Sequence, residues 1–253
     1  MFRPRVIPVL LLKNLGLVKS IQFKNHRYVG DPINAVKVFN DLKADELIFL
    51  DILASKEKRK ISLEFIRNVG DEANMPFAVG GGIRTIEDIR EIINAGAEKV
   101  IINTYALENP DFIKAASEEF GSSTIVVSMD VKKKFLGKEQ IFSFGGQHAT
   151  GEDPVAFAQL MEKNGAGEII ITSIEKDGMM NGYDLDLITK ISEAVTIPVV
   201  ANGGAGKLAH FKEAVNVAYA SAVAAGSLFV YHGPRKAVLV NYPVQNELQN
   251  LFE

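Results

Sequence analysis

The chain has 253 residues, enough for one (β/α) barrel of about 250 residues or for two small domains. Its 47% hydrophobic and 23% charged residues are those of a globular protein, and a net charge of −3 argues against a general nucleic-acid footprint. The lack of cysteine excludes disulfides, thiolate metal sites and a cysteine nucleophile, and the scattered His26, His148, His210 and His232 have no metal-ligand spacing.

In chain order, apolar runs alternate with amphipathic stretches. The first run, 6–12, is too short for a secretory core with a cleavage site or for a membrane span, so a cytoplasmic protein without membrane contact is expected. Strands are predicted at 6–12, 46–51, 76–80, 98–103, 124–130, 167–172, 198–202 and 221–226. Each is a near-continuous apolar run rather than an alternating one, as a parallel sheet covered by helices demands. Helices are predicted at 32–43, 57–72, 85–95, 110–120, 154–164, 185–194, 207–217 and 233–251. Pro32, Pro110 and Pro154 each follow Asp or Asn, a usual helix start. Eight strand–helix units with no obvious linker favour a single closed (β/α)₈ TIM barrel over the alternative, a doubly wound open sheet. Two connections are long. Residues 13–31 carry Lys19, Lys24, His26 and Arg27, and read as a lid or substrate loop. Residues 131–151 read as a β-hairpin turning near Gly137, with Lys132–Lys134 as a solvated arm.

The third strand ends in PFAVGGGIR, residues 76–84. Three glycines there allow a sharp turn that presents bare N–H groups, and Thr85 with Asp88 resembles a helix N-cap and its reciprocal partner. Strand, turn and helix start together suit an anion. IPVVANGGAG at 197–206 repeats the pattern, with Pro198 matching Pro76 and Gly203–Gly204 matching Gly81–Gly82. The echo suggests two half-barrels, about 1–123 and 124–253. Barrel chemistry sits at strand C-termini. Those ends hold Leu11, Asp51, Gly80–Gly82, Asn103, Thr104, Asp130, Thr172, Ser173, Asp177, Gly178, Asn202–Gly204, Gly226 and Ser227. Such a set suits a phosphorylated small molecule, with one or two carboxylates for proton transfer.

These residues carry a resemblance over essentially the whole chain. VKSIQFKN around Lys19, GDP at 30–32, DELIFLDI at 45–52, VGGGIR, KVIINT, FGS at 120–122, HATG, GAGEIIITSIEKDG and NGGAGKLAHF are similar to the cyclase subunit of imidazole glycerol phosphate synthase. The resemblance implies a glutaminase docked at the N-terminal face of the barrel and ammonia crossing its interior. It places an ammonia gate at Arg5, Glu46, Lys99 and Glu168. Exposed charges near strand starts are often inert, but all four family positions are filled. It implies phosphate contacts from Gly82, Asn103 and Thr104 at one end of a bis-phosphate ligand, and from Asp177, Gly178, Gly204, Gly226 and Ser227 at the other. Catalytic roles fall to Asp130, Lys19 and Asp51, although Asp51 serves equally well as an orienter of neighbouring loops. No cofactor or metal is implied.

The departure is at strand 1. The family has an aspartate at its end, paired functionally with Asp130, and here Leu11 stands in that place. Leucine exchanges no proton, and it removes the like charge that would tune Asp130. Leu15, Met179 and Asn202 depart at the same end. The pattern, with RPRVIPVLLLK at 3–13, resembles cyclase-like proteins associated with glycosyl amidation in surface-polysaccharide clusters. Such a protein would pass ammonia from a glutaminase to a sugar amidotransferase that makes acetamidino from acetamido sugars. The alternatives are an authentic histidine-pathway cyclase that tolerates Leu11 and a non-catalytic ammonia-conducting scaffold.

Overall fold

The structure, a computed structural model, describes residues 3–134 and 137–253. Residues 135–136 of the expected hairpin, and the first two residues of the expected first half, lie outside the described residues. Eight parallel strands form the barrel: β1 (Arg5–Lys13), β2 (Leu47–Asp51), β3 (Phe77–Gly80), β4 (Lys99–Ile102), β5 (Ile125–Lys133), β6 (Glu168–Ser173), β7 (Val199–Asn202) and β8 (Ala222–Ala225). Each pairs with the next, and β8 pairs back onto β1 with Arg5 opposite Ala222, which closes the sheet. Each barrel strand is reached from the one before through at least one helix.

Local chemistry starts the helices where the sequence places them. Asp31 caps Pro32–Asp41, accepting from Asn34 N–H at 2.9 Å, and Asp153 caps Pro154–Lys163, accepting from two N–H groups at 3.0 Å. Thr85 and Asp88 form the reciprocal capping box on Ile86–Asn94. Two expected helices are shorter than their patterns. The second spans Leu63–Glu72 and not 57–72, because residues 52–61 fold as tight turns against the glycine turn, with Ile61 N–H donating to the Gly81 carbonyl at 3.0 Å. The last spans Gln245–Phe252 and not 233–251. Gly233 turns a small hairpin that pairs Tyr231–His232 with Ala237–Val238, and Pro243 blocks helix before Val244. The connection after β1 is itself an antiparallel hairpin, Gly16–Ile21 with Lys24–Gly30, paired onto the end of β1. The connection after β5 is the expected hairpin, with Glu139–Ser143 pairing the end of β5 and His148–Ala149 adding a third strand.

Side chains alternate along a strand, so every second residue of β1–β8 enters the barrel. The interior is stacked in tiers. Arg5, Glu46, Lys99 and Glu168 stand at the strand starts. Above them Ile7, Val9, Ile48, Ala78, Ile101, Val126, Ile170, Val200, Ala222 and Ala224 make an apolar filling. Leu11, Asn103, Asp130, Thr172 and Asn202 come last. A second, larger core lies between the strands and the helices, where Phe49 is fully buried with Phe65 edge-on at 5.3 Å. Replacing Phe49 with alanine is expected to lower stability by about 3–5 kcal/mol, read as a lower urea midpoint at unchanged slope. A loss under about 1 kcal/mol would mean that this core is not close-packed.

Candidate active site at the barrel mouth, above a charged ring

At the floor, Arg5 pairs with both Glu46 and Glu168, and Lys99 reaches the same two carboxylates at 3.1 Å each. The four charges make a closed circuit of alternating sign. Glu46 is 3% exposed and Glu168 7%. Burial pulls the Arg5 guanidinium down, but Glu168 and then Glu46 outweigh it and hold it above its ordinary value.

At the other end a cavity of about 330 Å³ opens on the strand C-termini. Asp130, at the end of β5, accepts from Asn103 Nδ2 at 3.1 Å. Burial, then the charge of Asp177, pushes its carboxyl up to about 7 against that hydrogen bond. Lys19 reaches in from the first hairpin and is 5% exposed, with its ammonium donating to the Val9 carbonyl. Gly226 makes room for it, since a Cβ there would lie 2.5 Å from Nζ. Burial lowers Lys19 to about 8, while Asp177 holds it up. Asp177 accepts from Ser20 Oγ at 2.9 Å, and Gln22 N–H donates to its carbonyl at 2.9 Å, so the β6 loop is latched to the first hairpin. Burial raises its pKa, opposed by Ser20 and Lys19. Acid and base groups within about a unit of neutrality thus share one mouth. Leu11, half-buried, lines the same cavity from β1.

Of the expected phosphate contacts, Gly82, Asn103, Thr104, Asp177, Gly226 and Ser227 line this cavity. Gly178 and Gly204 do not: they lie beneath the carbonyls of Ser20 and Gly182. Gly82, at φ +68°, lies so close to the Arg59 carbonyl that a side chain could not be placed there. Thr104 Oγ1 accepts from Phe144 N–H at 3.1 Å, which ties the second hairpin to the first cup. The two glycine turns have corresponding keepers. Asp88 accepts from Arg84 and Thr85 N–H at 3.1 and 3.0 Å, and at the matching place His210 Nδ1 accepts from Gly206 N–H at 3.1 Å. Asp51 faces Arg59, which donates to both its oxygens at 2.6 and 3.2 Å, while Leu53 N–H adds a third bond at 3.1 Å. These bonds tie the end of β2 to the loop that follows it. Ser20, Phe23, His26, Phe144 and Gln147 also line the mouth. They come from the two hairpins. Loop length signals such a contribution, but only the fold shows which residues turn inward.

Residues 5–234 match the sequence family described as "Histidine biosynthesis protein". The chain belongs to this family. Its relatives agree with the resemblance to the cyclase subunit of imidazole glycerol phosphate synthase. A Pseudomonas aeruginosa protein is 46% identical over 248 residues, covering 98% of this chain and 99% of the relative. A Leptospira borgpetersenii protein is 44% identical over the full length of both chains. A Vibrio vulnificus protein is 42% identical over 100% of this chain and 98% of its own. Each is named a "Putative imidazole glycerol phosphate synthase subunit", as hisF2, HisF and hisF3 respectively. Among the described residues no helix is long and apolar enough to cross a membrane.

The pKa of Asp130 gives a signed prediction. A carboxyl raised by folding stabilises the native state below its ordinary pKa of 3.8, and that contribution is lost as pH rises through about 7. Asp130→Asn should therefore flatten the fall in urea midpoint between about pH 4 and 8. Asp177→Asn should lower the Asp130 midpoint in a carboxyl carbon-13 titration. An unmoved midpoint would show that burial alone sets it.

Proposed function

We propose that this chain is the ammonia-using, cyclase-like subunit of a glutamine-dependent synthase, turned to the amidation of an acetamido sugar. A glutaminase docks on the N-terminal face. Ammonia enters at the ring of Arg5, Glu46, Lys99 and Glu168, crosses the apolar tier and emerges beside Asp130 and Lys19. The observation that carries the reading is the stacking of the interior: a charge ring, an apolar tier that suits a small neutral molecule, and a polar mouth with Leu11 at the end of its first strand. Neutral ammonia suits the apolar tier, because ammonium would lose its hydration there at prohibitive cost. A phosphorylated ligand meets Gly82, Asn103 and Thr104 on one side and the Asp177, Gly226 and Ser227 side on the other. Gly178 and Gly204 contribute by letting those loops pack. The two glycine turns support a chain built of half-barrels at about 1–123 and 124–253.

Within this reading Asp130 is the remaining acid/base and Lys19 the cation facing an anionic ligand. The C=O to C=NH exchange belongs to the sugar amidotransferase, which consumes the delivered ammonia and releases the carbonyl oxygen as water. The histidine-pathway cyclase is the second reading, favoured by the family match and by a carboxyl poised near 7 at β5. A non-catalytic conduit is the limit of the first reading, in which Asp130 only shapes the mouth.

Two measurements separate them. Given the imidazole-precursor nucleotide and a high concentration of ammonium salt at alkaline pH, the chain should form imidazole glycerol phosphate at least about 10²-fold more slowly than a cyclase with both carboxylates. Equal turnover would sink the amidation reading. In complex with its glutaminase, Lys99→Ala should hydrolyse glutamine without matching product, while circular dichroism stays unchanged. Normal coupling in that variant would count against this ammonia route.

A further inference from the structure

A groove of about 650 Å³ lies beside the mouth cavity, and nothing in the proposed ammonia route uses it. Ser55, Lys56, Arg84, Phe144 and Gln147 line both this groove and the mouth cavity, so the two spaces adjoin. Lys58, Glu108 and His148 complete its wall.

Its charge is unusual for a chain of net charge −3. The loop after β2 carries cations at 56, 58, 59 and 60. Arg59 is bound to Asp51 and Glu57, and Lys60 to Asp88 and Glu91. Lys56 and Lys58, the two that face the groove, have no ion-pair partner among the described residues. The third cation, Arg84, is held in place. Its guanidinium lies 4.7 Å from the centre of the Tyr105 ring and donates to Glu108 at 2.7 Å. Glu108 is the sole carboxylate of the lining, so the groove is net positive. Beside the cations stands an aromatic wall. The rings of Phe144 and His148 lie 5.2 Å apart, and Phe144 keeps a left-handed backbone, φ +52°, pinned by its N–H bond to Thr104. A large side chain held at positive φ beside a ligand cup is strain of the kind that collects at binding sites.

We propose that this groove is a further ligand subsite, which takes a nucleoside diphosphate portion of the substrate. The diphosphate would lie against Lys56, Lys58 and Arg84, and the flat base against Phe144 and His148. The inference rests on the reading of Gly82, Asn103 and Thr104 as an anion cup, and it names the substrate class. The cup holds one end of the phosphorylated ligand that this chain presents, and the groove holds a carrier that remains outside the barrel.

The test is calorimetric titration of the full-length chain with uridine diphosphate, inorganic pyrophosphate and inorganic phosphate. Uridine diphosphate should bind at least tenfold tighter than inorganic phosphate, and more weakly as salt rises. Lys56→Ala with Lys58→Ala should weaken uridine diphosphate at least tenfold and leave inorganic phosphate within about twofold. Phe144→Ala should weaken uridine diphosphate but not pyrophosphate. Binding of uridine diphosphate that ignores the lysine pair overturns the subsite, and pyrophosphate binding as tight as uridine diphosphate overturns the base contact. Failure of inorganic phosphate alone would strike the cup and leave the groove standing.

Discussion

The constraint on which everything else depends is the two-residue period of a closed parallel barrel. Once β8 pairs with β1, every second side chain of each strand must enter a space with no other exit. Whatever the strands carry at their starts, middles and ends is therefore sorted into tiers by height. Charges at 5, 46, 99 and 168 meet at the floor. Apolar residues at 7, 48, 101 and 170 meet above them, and Asn103, Asp130 and Thr172 meet at the mouth. Site and core arise from the same alternation.

The floor ring is a poor device for stability. Burying Glu46 and Glu168 costs solvation that their partners offset only while every pair is made, and an apolar layer of similar volume would often do as well. On the proposed ammonia route, this closed circuit would be the barrier that opens by breaking and remaking pairs. At the mouth burial works on single groups: it raises Asp130 and lowers Lys19, and each also feels the charge of Asp177. Leu11 lines the same mouth and adds no charge to this coupled set.

Much of this was legible in the chain. The strands were legible because all but the ends of a buried parallel strand must be apolar, and the helix starts because Asp31, Thr85 and Asp153 cap in the manner of their types. The charge quartet was legible only through resemblance, since nothing in the local sequence brings positions 5, 46, 99 and 168 together. Helical periodicity misled at 57–62 and 233–244, where Ile61 is drawn to the glycine turn and Pro243 interrupts. The hairpin at 16–30 was hidden by its polar second strand, KNHRYVG, which has no apolar face to announce it. Latches such as Ser20 to Asp177 and Phe144 to Thr104 join segments far apart in sequence, and only the closed fold reveals them.

The central claim is that the mouth of this barrel is an intact ligand site short of one carboxylate. Its most direct test restores that group. Leu11→Asp should raise formation of imidazole glycerol phosphate from the precursor nucleotide and ammonium by about 10²-fold or more over the natural chain. A folded Leu11→Asp variant with no gain would contradict the account, because the rest of the mouth would then have lost the ancestral geometry as well.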